Sequence, residues 1–437
     1  MRFLLIVLIF ILSLHGKELE GTFVPEPIFN ASVYMKMSGN PENPAVVLVH
    51  GLGDEASTIW DGTIDFLKND HYVITFDLPG FGQSTKSNEL YSPMQYAKFI
   101  HYMTQAYVKK PFHLIGHSMG GAIALKYTSM YPSNVESLVL VDVAGILHRS
   151  EYNTFLMQTG IHSFFDDYGG LTQNSTFNRF VDKMTEKIDR KISVDMSRVL
   201  QSPELRASVL GANPMRIAAV ALVEENFSGV IQDINTKTTI VWGEEDDIAP
   251  LKTGYVLHKL MENSSLKSIP DAKHVPMLTH EKAFFQILQE HFIHPKAPMR
   301  PTLPSQTQSY SVHLKHVKDQ TYSGMIESMS IRDSQRVVIK DASIGELVVV
   351  NSDVEIINST FKGSKEVVLM AQNAKVSIIA SDVFGTLKLH NVKLHLIGTH
   401  IKTLGKPIAV LFTSFIFYSL CDINNLRVHG KEILNVK

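Results

Sequence analysis

Gly116-His117-Ser118-Met119-Gly120 places a serine between two glycines at a fixed spacing. The segment follows the apolar run Phe112-His113-Leu114-Ile115 and precedes a helix-like stretch, Met119 to Met130. A tight strand-to-helix turn strains the backbone of its central residue, and flanking glycines remove the side chains that would clash. The hydroxyl then projects at a helix N-terminus, where amides favour negative charge. Such a serine becomes a nucleophile only if a base takes its proton and a third group orients the base. Asp271-Ala272-Lys273-His274-Val275-Pro276 offers an imidazole, and Gly243-Glu244-Glu245-Asp246-Asp247-Ile248-Ala249-Pro250 offers carboxylates. His274 is the preferred base: His113 lies within a strand, His117 lies within the turn itself, and His280 near the start of the last helix is a weaker rival. For the acid, Asp246 comes first, with Asp247 and Asp142 left open. His50-Gly51-Leu52-Gly53 follows another apolar run. An oxyanion must be met by amides already in place, and those of Leu52 and Met119 are suited to that.

These groups can converge only if rigid elements bring them together. Val46 to Val49, Val73 to Phe76, Phe112 to Ile115, Val135 to Val141 and Thr239 to Trp242 are short apolar runs ended by His, Asp or Gly. They read as strands buried on both faces. Pro93 to Val108, Met119 to Met130 and Leu251 to Met261 read as helices between them. The alternation predicts an α/β fold, a mostly parallel sheet flanked by helices. Ligands in that architecture bind beyond the carboxyl ends of the strands, where the reactive segments stand.

Together with Asp77-Leu78-Pro79-Gly80-Phe81-Gly82-Gln83-Ser84, these segments, in this order and spacing, resemble the α/β-hydrolase family over about residues 25–293. The resemblance implies Ser118 as nucleophile, Asp246 as acid, His274 as base, and Leu52 and Met119 as amide donors. Family members that open epoxides or remove halogen look different, with aspartate at the turn, so the serine implies acyl chemistry. The segment from about 144 to 232 interrupts the alternation and is helical in pattern, with Phe155, Met157, Phe164, Phe165, Phe180, Met184 and Met196. In the family an insertion here looks like a cap, and flexible apolar side chains suit an apolar acyl or aryl substrate.

The 437 residues are 44% apolar and 19% charged with a formal net charge of −2, which excludes a disordered chain and gives no footprint for nucleic acid. One cysteine, Cys421, excludes an internal disulfide and a cysteine-based metal site. Met1 and Arg2 precede an apolar run from Phe3 to Leu12, which reads as a signal peptide or an N-terminal anchor over residues 1–16. The expected location is therefore exported: periplasm or cell envelope if the source is bacterial. Residues 294–310 are rich in proline and read as a linker.

Residues 311–437 form a β-rich module with a loose repeat. Val338 to Gly345, Ile356 to Gly363, Ile378 to Gly385 and Leu396 to Ile401 each carry an apolar run, a small polar turn and a further apolar residue. That periodicity predicts a parallel β-helix or similar solenoid able to contact glycans or envelope components. Ile408 to Leu420 is strongly apolar but short for a membrane span, and reads as buried strands. The expected activity is cleavage of a small, apolar carboxylic ester, with no metal or organic cofactor. An acyltransferase or carbon–carbon bond hydrolase on the same triad stays open, as does a non-catalytic envelope-binding or scaffold protein.

Overall fold

The computed structural model describes residues 21–147, 196–293 and 309–434. The N-terminal apolar run, the cap residues Phe155, Met157, Phe164, Phe165, Phe180 and Met184, and the proline-rich stretch up to residue 308 lie outside the described residues.

Eight strands build the first sheet: β1 (Thr22–Glu26), β2 (Ala31–Ser38), β3 (Ala45–Val49), β4 (Tyr72–Phe76), β5 (Phe112–His117), β6 (Val135–Val141), β7 (Thr238–Gly243) and β8 (Ser264–Ile269). Their order is β1-β2-β4-β3-β5-β6-β7-β8. From β4 to β8 all neighbours are parallel, while β1 and β2 form an antiparallel edge. β3 and β4 are buried at every position, as uncharged strands covered on both faces must be. The cover comes from α1 (Asp61–Leu67), α2 (Pro93–Tyr107), α3 (Met119–Met130), α4 (Met196–Gln201), α5 (Pro203–Leu210), α6 (Pro214–Glu224), α7 (Lys252–Leu260), α8 (Pro276–Thr279) and α9 (Glu281–Ile293). Ser92 starts α2 by accepting from the Gln95 amide, with Pro93 in the first turn. The described part of the cap segment packs inward. Leu200, Leu210, Ile217 and Phe227 join the main core, and Met196 is half-buried against it. Buried Arg206 donates to the carbonyls of Leu200 and Asn88, pinning α5 to the body.

The second sheet has ten strands: β9 (Tyr310–Lys315), β10 (Lys318–Arg332), β11 (Gln335–Val350), β12 (Asp353–Ile357), β13 (Thr360–Ile379), β14 (Asp382–Ile397), β15 (His400–Lys402), β16 (Ile408–Phe412), β17 (Ser414–Ile423) and β18 (Leu426–Leu434). Every pairing is parallel except β17 with β18. The register aligns Ile339, Ile356, Ile378, Leu396 and Tyr418 in one inward column. Asp333, Asn351, Asn373 and Asn391 all take positive φ at successive corners. Each asparagine side chain donates to the corner residue one turn earlier. Asx residues tolerate this left-handed conformation, and the ladder of amides closes it. The apolar stretch Ile408 to Leu420 forms β16 and β17, but is only partly buried: it crosses a corner at Thr413, and Leu411, Phe412 and Phe415 are exposed.

The two sheets meet through α7. A second corner column, Asn358, Ala380, Gly398 and Leu420, also has positive φ. Here Ala380 and Leu420, with Ile379 and Ile397, are part of the core of the first sheet. A Cβ at Gly398 would lie 2.7 Å from Val256 on α7, so the corner sits directly on the helix. Lys259 pairs with Asp382 at 2.5 Å, and the Lys340 ammonium lies 4.9 Å from the centre of the Tyr255 ring.

Several histidines are buried as neutral groups. At the amino ends of the strands, Ser137 Oγ bonds His113 Nδ1 at 2.7 Å and His291 Nε2 at 2.6 Å, and His291 Nδ1 bonds Thr239 Oγ1. Burial pushes His113 down to about 4 and His291 well below its ordinary range. His50 is likewise pushed by burial to about 4. An unfolded chain takes up protons on these rings as pH falls through about 6.5, while the folded chain does so only near 4. Stability is therefore full above that window and lost within it. His50 and His113 each account for ~2 kcal/mol of loss by about pH 5. The midpoint of urea unfolding followed by circular dichroism should fall steeply between pH 7 and pH 5; an unchanged midpoint would contradict the neutral burial of these rings.

Candidate active site

Ser118 stands between β5 and α3 with φ 53° and ψ −120°. Its amide donates to Val141 O on β6, and its carbonyl accepts from Gly121 and Ala122 in α3. The turn is so close to β3 that a Cβ at Gly120 would lie 2.2 Å from Val49 O. On the other side, a Cβ at Gly51 would lie 2.8 Å from the Ser118 Cβ. The His50-Gly51 turn therefore runs against the serine, and Leu52 follows directly. Met119 opens α3, where the first amides have no partner inside the helix.

His274 Nε2 lies 3.0 Å from Ser118 Oγ, and His274 Nδ1 lies 2.8 Å from Asp246 Oδ2. All three residues are buried. A carboxylate can only accept, so Nδ1 carries the proton and Nε2 is left to receive one from the hydroxyl. Asp246 is itself held: its Oδ1 accepts from the amides of Ile248 and Ala249 at 2.8 and 2.9 Å. Trp242 Nε1 donates to Ala249 O and ties that loop to β7. The structure thus brings Ser118, His274 and Asp246 together. Asp247 is half-buried and is not a partner of the imidazole, and His280 is bonded to its neighbour Thr279 instead.

Asp142 is fully buried at the end of β6, with φ 45°. Its Oδ1 accepts from the Gly243 amide at 2.9 Å, and its Oδ2 has no partner. Burial first, and then the neighbouring Asp246, push its carboxyl well above the ordinary carboxylate range. Asp142 therefore holds its proton more tightly than an ordinary carboxyl, beside the Asp246 carboxyl that contacts the imidazole.

Three supports were not assigned from sequence. His117 Nε2 donates to His274 O at 2.7 Å, so the turn that holds Ser118 also carries the loop of His274. Burial keeps His117 neutral, its pKa well below the usual range. His50 Nδ1 donates to Gly51 O at 2.7 Å while Nε2 accepts from the Leu78 amide at 2.9 Å, a pairing only the neutral ring can make. Asp77 accepts from the amides of Ser57 and Gln83 and fastens that loop. The signals were a histidine and an aspartate closing adjacent strands, in His50-Gly51 and Asp77-Leu78-Pro79-Gly80.

A protein-family model described as the alpha/beta hydrolase fold matches residues 44–281. The chain belongs to that family. Among similar proteins, monoacylglycerol lipase ABHD6 of Rattus norvegicus is 26% identical over 268 residues, covering 54% of this chain and 72% of that one. The uncharacterized hydrolase YugF of Bacillus subtilis (strain 168) is 28% identical over 250 residues, covering 56% and 88%. A solved esterase from Exiguobacterium antarcticum covers 63% of this chain and all of its own, at 20% identity and a TM-score of 0.47.

Asp142→Asn keeps an acceptor for Gly243 and removes a carboxyl that is costly to ionise. It should leave hydrolase activity within about threefold and raise the melting temperature at pH 7, the gain shrinking as pH falls toward the unfolded carboxylate value near 4. Loss of most activity would instead make Asp142 the ionised partner of the base.

Proposed function

We propose that the protein is a serine hydrolase that cleaves a carboxylic ester through an acyl-enzyme. The observation that carries this reading is one imidazole bridging Asp246 at 2.8 Å and Ser118 at 3.0 Å, with the serine on a strained turn. His274 Nε2 takes the hydroxyl proton as Ser118 Oγ attacks the carbonyl carbon. The carbonyl oxygen becomes an oxyanion, met by the amides of Leu52 and Met119. Collapse breaks the ester bond, and His274 gives its proton to the departing alkoxide. Water, deprotonated by His274, then attacks the acyl-enzyme and releases the acid and Ser118. Asp246 fixes the tautomer and offsets the charge of the imidazolium.

The substrate class is an ester with an apolar acyl chain, in keeping with the name of the rat relative and the apolar sequence of the cap segment. The hydrolase domain comprises about residues 25–293, and 311–437 is a separate β-helix-like module. Parallel, in-register pairing from β9 to β17 supports the latter. The protein acts after export, a reading that rests on the basic and apolar start of the chain.

A fluorophosphonate probe should label wild-type protein at one serine and fail to label Ser118→Ala or His274→Ala. Asp246→Asn should label roughly 10³- to 10⁴-fold more slowly, because the imidazole loses its tautomer control. A folded wild type that takes up no probe, judged by mass spectrometry, would overturn the serine-hydrolase reading.

A further inference from the structure

The last strands of the second sheet carry an apolar face that nothing in the hydrolase reading uses. Leu411 and Phe412 close β16 at 50% and 60% exposure, and Phe415 opens β17 at 41%. They follow one another around the corner at Thr413 and Ser414. The register sets this strip against β14: Lys388 opposite Ala409, His390 opposite Phe412, and Lys393 opposite Phe415. The His390 ring stacks on Phe412 at 5.1 Å, and the Lys393 ammonium lies 5.3 Å from the centre of the Phe417 ring. Charge here is predominantly basic, with Glu432 of β18, which accepts from the Tyr418 hydroxyl, opposite Ile416. From Val383 to Cys421 the sequence carries Lys388, Lys393, Lys402 and Lys406 and no Asp or Glu.

We propose that Leu411, Phe412 and Phe415, bordered by Lys388 and Lys393, form a docking surface for an anionic phospholipid bilayer. Contiguous exposed apolar side chains mark a surface with a second state in which water is displaced. Phenylalanine and leucine suit the boundary between headgroups and acyl chains, while lysine stems lie along apolar surface with the ammonium at headgroup level. Each lysine is drawn to an anionic leaflet and not to a neutral one. A second copy of the chain is a poorer occupant, because lysines would face lysines. An added strand could pair with the edge of β16, which bonds β14 alone among the described residues, but it would not cover Phe415 on β17, whose two edges are already paired with β14, β15 and β18. Docking here does not depend on the triad, so the two readings fail separately.

Trp60 and Trp242 are both fully buried, so a Phe412→Trp variant of the full chain adds the only exposed tryptophan and reports on this spot alone. With vesicles of mixed phosphatidylglycerol and phosphatidylcholine, its emission should shift to the blue and be quenched by brominated acyl chains. The response should weaken in high salt and on phosphatidylcholine alone. Adding Lys388→Glu and Lys393→Glu should lower vesicle affinity by roughly tenfold or more. Vesicle binding that leaves the tryptophan emission unchanged would assign the contact to another segment and overturn the proposal. So would equal response to neutral vesicles, no response to vesicles, or a response to single-stranded RNA alone.

Discussion

A non-glycine residue with φ 53° costs ~1–3 kcal/mol unless its surroundings hold it there, and Ser118 is held from every side. Its amide is bonded to β6, its carbonyl to α3, and its Cβ is packed against Gly51. The glycines at 51 and 120 are consequences of that fixation, since side chains there would overlap the serine or β3. So is the parallel order of β3, β5 and β6, which places three carboxyl ends side by side. The remaining groups of the site approach this turn from neighbouring strand ends. What the fold supplies is a hydroxyl whose direction does not depend on bound substrate.

Around that hydroxyl, burial pushes several ionisable groups toward their uncharged forms. His50 and His117 are neutral and act as fixed struts, each with a tautomer dictated by a backbone partner. Burial and the neighbouring Asp246 push the Asp142 carboxyl well above the ordinary carboxylate range. Two adjacent buried carboxyl groups cannot both ionise cheaply, and their environments differ. Asp246 receives two amides and an imidazole, whereas Asp142 receives one amide. More donors therefore converge on Asp246, the carboxyl that contacts His274.

Ser118 and Asp246 stood out as candidates because each follows an apolar run that ends at the same edge of a parallel sheet, whereas β8 before His274 is polar and partly exposed. Which of Asp142, Asp246 and Asp247 meets the imidazole was not legible, since it depends on which carboxylate two loop amides and a ring can reach. His50, His117 and Asp77 carry no signal of their bracing role beyond their position at strand ends. β1 and β2 escaped notice because edge strands are half-exposed and lack an unbroken apolar run. In the second sheet, the repeat units read from sequence align in register, with Ile339, Ile356, Ile378 and Leu396 one above another. The stretch from Ile408, expected as buried strands, does form strands but is only partly buried. Hydropathy alone does not reveal a corner, and beyond one the same run of apolar residues turns outward.

The corner columns of the second sheet differ in a way that has a consequence for size. Where the corner faces water it is Asp333, Asn351, Asn373 and Asn391, and where it rests on α7 the asparagine gives way to Ala380, Gly398 and Leu420. The later strands therefore carry the apolar contact with the first sheet, and β11 adds Lys340 over the Tyr255 ring. Each strand adds one strand spacing, about 4.8 Å. A strand gained or lost at the β9 end would change the width of the sheet by that fixed increment, as a ruler lengthens by whole divisions, and leave the seat on α7 where it is.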